Sequence, residues 1–262
     1  MELGLQDRVA IVCGASRGLG FAIATSLARA GARLVVCART PEPLEEAAKL
    51  LRGLGAEVLA VPCDVTDGDD LKRLVGAAVE AYGRVEILVN NTGHPKMGAF
   101  STLSEADWRD GFDTIFLPML RLCHQVLPIM QRQRWGRVIN ISSHAIRAPS
   151  STYLLSGVYR TALASLSKSL ANEYGSEGIL INSVCPGLFR TPLGESLLRG
   201  MAERGGISVE EAEREHASRC PARRIGEPDE IGDIVAFLCS GAASHITGQL
   251  LTVDGGDSPG LF

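Results

Sequence analysis

No excess of basic residues runs through this chain. Its 262 residues carry 26 lysines and arginines against 30 aspartates and glutamates, a formal net charge of −4. A nucleic-acid backbone needs a basic face to neutralise its phosphates, so nucleic acid is excluded as an expected partner. The one arginine-rich patch, RQRWGR at 132–137, reads as a solvated helix end. No apolar run reaches the ~18 residues of a membrane span. The start, MELGLQDR, has no basic region followed by an apolar stretch, so no export signal is expected. The seven cysteines show no CxxC or metal-ligand spacing, and their odd number argues against a disulfide framework. Cys13, Cys37, Cys63 and Cys185 sit in apolar, strand-like runs and are expected to be small core residues in a reducing cytoplasm. No linker, repeat or low-complexity segment divides the chain, so residues 1–262 are expected to form one domain.

What is present is a rhythm. RVAIVCG (8–14), RLVVCAR (33–39), EVLAVPCD (57–64) and VEILVNNTG (85–93) are near-continuous apolar runs. Strands buried on both faces read this way. GRVINISS (136–143), ILINSVCPG (179–187) and QLLTVDGG (249–256) complete seven. Helical patterns lie between them, at 18–30, 42–53, 67–82, 104–133, 152–174 and 227–240. Asp67, Ser104 and Glu227-Pro228 mark helix starts; Gly31, Gly83 and Gly175 mark stops. This alternation predicts an α/β fold, a Rossmann-like, doubly wound, seven-stranded parallel sheet joined by right-handed crossovers. The break in the rhythm is 188–224, where an extra helical pair leaves the ligand-binding edge of the sheet. It is expected to be a lid, or alternatively a surface excursion that helps oligomer contacts.

CGASRGLG (13–20) joins the first strand to the first helix. Gly14, Gly18 and Gly20 let backbone amides approach a pyrophosphate, and Ser16, Arg17 and Leu19 fill the same turn. An NAD site would place a carboxylate at the end of the second strand. Here that run is CART, with Arg39 and no acid, and Arg17 adds a second guanidinium. Planar guanidinium forks suit a ribose 2′-phosphate, which points to NADP(H).

With these residues assembled, the chain resembles the short-chain dehydrogenases/reductases, in particular a divergent branch similar to 3-oxoacyl-carrier-protein reductases. The resemblance runs from about Gln6 to Gly256. It implies Asp64 and Val65 near the adenine, and the NNTG segment, with Asn91 and Gly93, along the adenosine. Pro186, Gly187 and Thr191 are implied near the nicotinamide. It also implies a homo-oligomer, a tetramer or dimer, assembled through the long helices and last strand. The family's catalytic serine matches Ser143. Its tyrosine and lysine fall on Ser156 and Arg160, and its asparagine position on Ile115.

These substitutions leave the chemistry open. Serine is a poor proton donor beside a phenol, and arginine binds ribose hydroxyls but does not shuttle protons as lysine does. The expected catalytic set is Ser143, Ser156, Arg160 and Tyr153. Ser143 and Ser156 polarise the substrate oxygen and Arg160 holds cofactor. Tyr153, placed on the Ser156–Arg160 stripe, is a replacement donor or else packs against the lid or another subunit. His94 and His144 follow strand ends and are further acid–base candidates. Tyr159, His124 and His216 carry no functional signal. Three readings remain: an NADP(H)-dependent oxidoreductase on a small or acyl-type carbonyl or hydroxyl compound, a non-redox isomerase, dehydratase or cyclase, and a non-catalytic NADP-binding subunit.

Overall fold

Strand β1 (Val9–Cys13) is buried on both sides: Ala10 and Val12 pack into one apolar layer, Val9, Ile11 and Cys13 into the other. In the computed structural model, which describes residues 3–260, six further strands flank it. They are β2 (Arg33–Ala38), β3 (Val58–Pro62), β4 (Ile87–Asn90), β5 (Gly136–Ile141), β6 (Ile179–Pro186) and β7 (Leu250–Val253). All pair in parallel in the order β3-β2-β1-β4-β5-β6-β7. The order reverses between β1 and β4, the switch point beyond which ligands of open parallel sheets bind.

Helices cover both faces. On one side lie α1 (Gly18–Arg29), α2 (Pro41–Gly53) and, towards the C-terminus, a helix at Pro228–Cys239; on the other lie α3 (Gly68–Tyr82), α4 (Glu105–Gln133) and α5 (Leu154–Tyr174). The caps explain the boundaries. The Asp67 carboxylate accepts from the amides of Asp69 and Asp70 at 2.7 and 3.2 Å. Ser104 and Asp107 form a reciprocal capping box, as do Glu227 and Glu230. Gly83 ends α3 at φ +71°, a left-handed conformation that favours glycine.

As expected, Gly175 caps α5 at Tyr174, and a 3-10 turn then leads to Gly178 at φ +80°. Three expectations need correction. Strands β3 and β7 are only half-buried because they lie at the two edges of the sheet. RQRWGR is a solvated helix end only in its first part, where Arg132 and Arg134 are exposed at the end of α4. Arg137 lies inside β5 and is buried; its guanidinium and that of Arg8 sit over the Trp135 ring at 4.3 and 4.2 Å. Finally, α5 begins at Leu154, not 152, with consequences for Tyr153 described below.

The excursion forms two helices, α6 (Pro192–Gly205) and α7 (Val209–Arg219), before the final helix α8 (Pro228–Cys239). Its ends are tied together, since Arg190 N donates to Gly226 O and Gly226 N to Leu188 O. The segment after β7 holds its far side, with the Cys220 thiol against the carbonyls of Asp254 and Gly255.

Candidate active site

The first half of the site is backbone. Beyond β1 the chain turns through Gly14 at φ +63° and Gly18 at φ +59°, where L side chains are strained. At Gly20 a Cβ would lie 2.2 Å from the Gly14 carbonyl oxygen, so the first turn of α1 packs against the loop only with glycine there. Asn91 Nδ2 donates to Cys13 O at 3.2 Å and fastens the NNTG segment to the loop. The resulting concavity is open to a pyrophosphate and ends at a helix N-terminus. Ser16 and Leu19 are half-buried in it, and Arg17 is exposed at its rim. Arg39, directly beyond β2, is likewise exposed. The residues present therefore fit a dinucleotide with a phosphorylated ribose. Asp64 and Val65 lie past β3 at the same edge. The Asp64 carboxylate is engaged in its own turn, accepting from the amide and hydroxyl of Thr66 at 2.9 and 2.8 Å.

The groove closes on the other side through β6. Pro186 is its last residue, and Gly187 N donates to Val253 O at 3.0 Å, so close to Asp254 that a Cβ would meet it at 2.7 Å. Thr191 Oγ accepts from Gly194 N at 3.0 Å and starts α6. A Cβ on Gly18 would stand 3.5 Å from Thr191, which is where the two banks of the groove meet.

The second half is built from side chains. Arg160 is buried, and its donors face protein: Nε to Ser156 Oγ at 3.2 Å, one terminal nitrogen to Ile141 O at 2.6 Å, the other to Gly93 O at 3.3 Å. Burial pulls the guanidinium down to about 10, leaving it cationic at neutral pH. Ser156 is 1% exposed and spends its oxygen on that arginine. The pair thus lies beneath the cleft floor and pins α5 to the ends of β4 and β5. Ile115 is buried in the core, where it offers no polar group.

Above the floor the structure gathers three rings. Tyr153 is not on the α5 stripe: it precedes the helix in a non-helical conformation, because Gly98 pairs with it and Gly98 N donates to Thr152 O at 3.0 Å. That placement sets its ring edge-on to His94 (centroids 6.0 Å apart, planes at 76°) and to His144 (6.5 Å, 68°). His94 Nδ1 lies 2.7 Å from Pro95 O and His144 Nδ1 3.3 Å from Pro186 O. A carbonyl only accepts, so each Nδ1 carries the proton in the neutral ring. Ser143, at the end of β5, accepts from Ala145 N at 3.1 Å, and its own hydroxyl proton is left for another acceptor.

Burial raises the Tyr153 phenol above its usual value, so it stays protonated at neutral pH. Burial, reinforced by the Arg160 cation, lowers His94 and keeps it neutral. Tyr159 lies elsewhere, donating to Trp108 O at 2.7 Å within an aromatic cluster on α4. Among the described residues no group of His, Cys, Asp and Glu is arranged to hold a metal ion.

This arrangement has relatives. A family profile described as Enoyl-(Acyl carrier protein) reductase matches residues 14–258. Oxidoreductase UcpA of Salmonella typhimurium is 36% identical over 258 residues, covering 97% of this chain and 95% of that protein. The chain belongs to the short-chain dehydrogenase/reductase family. L-Sorbose reductase from Gluconobacter frateurii, solved with NADPH and L-sorbose, superposes with a TM-score of 0.94 at 29% identity over 100% of both chains. A variant of actinorhodin polyketide ketoreductase, solved with NADPH, gives 0.93 at 34% identity, covering 97% of this chain and 98% of that one.

Within this family member, two residues escaped sequence reasoning. His216 is half-buried on α7; burial lowers it, and it feels the charges of Asp257 and His144. Arg204, at the end of α6, adds its charge to the field at Tyr153. Helical periodicity alone does not single out either one, because the path of the excursion decides which face meets the cleft. No helix among the described residues is long and apolar enough to cross a membrane.

Proposed function

We propose that the protein is an NADP(H)-dependent oxidoreductase that interconverts a carbonyl and a hydroxyl on a small molecule, with Tyr153 as the proton donor. The observation that carries this reading is the position of Tyr153, free of the α5 stripe and flanked by His94 and His144 above the Ser156–Arg160 floor. NADPH is supported by the glycine cradle, by Arg17 and Arg39 in place of an acid, and by the relatives solved with that cofactor.

Bound at this edge, NADPH supplies hydride to a carbonyl carbon. The chain does the rest. The hydroxyl of Ser143 and the phenol of Tyr153 donate hydrogen bonds to the carbonyl oxygen. As the carbon is reduced, the proton leaves Tyr153 Oη for the developing alkoxide, and Tyr153 recovers a proton from water. Ser156 and Arg160 act as supports: they fix the backbone that carries Gly93, His94 and the end of β5. In the reverse direction the same atoms run backward. The α6–α7 pair serves as a cover, and the aromatic face at the start of α4, with Phe100 of the preceding turn 75% exposed, as a contact between subunits of a homo-oligomer. The cysteines, all seven free and buried, suit a reducing cytoplasm.

The non-redox reading is favoured by one observation, the burial of Ser156 and the inward turn of Arg160. Stereospecific transfer of deuterium from labelled NADPH into a ketone product separates the two. Label in the product supports the redox reading; turnover without any loss of reduced-nicotinamide absorbance overturns it.

A further inference from the structure

Four polar groups, Tyr153, Ser143, His94 and His144, stand beyond the ends of β4 and β5 near the Arg160 floor, three of them with converging rings, and their hydrogen-bonding senses are unequal. Tyr153 Oη and Ser143 Oγ each carry a proton to donate. His94 and His144 each commit Nδ1–H to a backbone carbonyl, Pro95 O at 2.7 Å and Pro186 O at 3.3 Å. In a neutral ring so committed, Nε2 is a lone pair, an acceptor without a proton. His94 and His144 are both partly exposed, so neither ring is sealed in the core. The site offers two donors beside two acceptors.

A ligand that fits must present one acceptor and, next to it, donors. We infer that the substrate is a hydroxyketone or the corresponding vicinal polyol, its carbonyl oxygen taken by Tyr153 and Ser143 and its neighbouring hydroxyls donating to the Nε2 atoms of His94 and His144. This deepens, and rests on, the carbonyl-reduction reading above. A β-ketoacyl thioester fits badly. Beside its reacting carbonyl it has C–H groups and a second carbonyl oxygen, which would set acceptor against acceptor and leave the imidazole lone pairs unpaired. A site built to pair with a hydroxyl discriminates strongly against the analogue that lacks one.

The rings also have a common support. Arg160 fastens Gly93, the residue before His94, while its cation disfavours a second positive charge on that imidazole. The groups facing His94 are Arg160 and Tyr153; those facing His144 are Tyr153, His216 from α7 and Asp254 after β7. Protonation of His94 would convert its Nε2 from acceptor to donor. Since its folded value lies below the ordinary ~6.5, the acceptor form persists at neutral pH and is lost only in more acidic solution.

The test uses the NADPH-bound protein with dihydroxyacetone, acetone and acetoacetyl-coenzyme A as substrates. The expected result is a kcat/KM for dihydroxyacetone at least about tenfold above that for either of the others, as two hydrogen bonds to uncharged donors imply. His94→Phe and His144→Phe each raise KM for dihydroxyacetone about three- to tenfold more than they raise KM for acetone. His94→Gln, whose side-chain carbonyl accepts, recovers part of the loss. KM for dihydroxyacetone rises more than that for acetone in acidic solution, at pH values below the ordinary ~6.5 of histidine.

Equal KM values for the two simple ketones, or a preference for the thioester, overturn the inference and leave the redox reading standing. If no ketone is reduced, the redox reading falls. The ligand class is then decided by the histidine Nε2 nitrogen-15 shifts of the NADPH complex on adding glycerol. Movement of both upholds it; no movement overturns it.

Discussion

The two halves of the cleft are made of different material. Around the glycine loop the contacts are backbone amides and carbonyls, brought together because Gly14, Gly18 and Gly20 have no Cβ. Beyond β4 and β5 the contacts are side chains: Tyr153, His94, His144, Ser143 and, below them, Ser156 and Arg160. A backbone site tolerates almost no change, because every substitution adds atoms where none fit. A side-chain site can be rebuilt, since a proton donor can come from any element that reaches the same place. In the proposed reading the donor, Tyr153, comes from the entrance of α5, three residues ahead of the expected position.

The contrast is sharpened by substitutions that should affect only one half. The largest effect is expected for Tyr153→Phe. Loss of a positioned proton donor should lower kcat by about 10²–10⁴-fold with NADPH affinity unchanged, read by steady-state kinetics and fluorescence titration. A comparable fall in affinity would break the separation of the halves.

Gly20→Ala should do the opposite. With a Cβ 2.2 Å from the Gly14 carbonyl, the turn must shift, and NADPH affinity should fall at least about a hundredfold, the equivalent of ~2.7 kcal/mol, while circular dichroism stays native. Undiminished binding would show that the cradle is not where the pyrophosphate rests.

Arg160→Met tests the floor. It leaves the carbonyls of Ile141 and Gly93 without their donor and should cost ~2–3 kcal/mol in urea unfolding. NADPH affinity should change less than about threefold, since these guanidinium bonds face protein rather than ribose. A large loss of affinity with full stability would return Arg160 to a ribose-binding role.

The unequal halves also explain what the sequence could reveal. Strand alternation and the glycine loop were legible because each is a local pattern: apolar runs of strand length, and glycines spaced at a strand–helix turn. The fold class follows from them. The edge character of β3 and β7 was not, because an apolar run does not say which neighbour it lacks. Trp135 was missed as the centre of a stack because Arg8, just ahead of β1, joins Arg137 of β5 over its ring only in the fold. Tyr153 was misplaced on a helical stripe because the pairing of Gly98 with it, across more than fifty residues of chain, stops α5 from extending back to it. His94 and His144 were legible as candidates by position, but their convergence on one phenol required the fold. His216 had no pattern at all.

The neck of the α6–α7 excursion has a broader consequence. Leu188, Arg190 and Gly226 hold the two feet of the segment together by main-chain bonds, reinforced by ion pairs from Arg190 to Glu227 and to Glu213 of α7. The excursion is therefore a cassette. Closing a chain through fixed feet costs only ~0.6 kcal/mol more for each doubling of length. Helices of other lengths and faces can be mounted on the same feet without disturbing the seven strands.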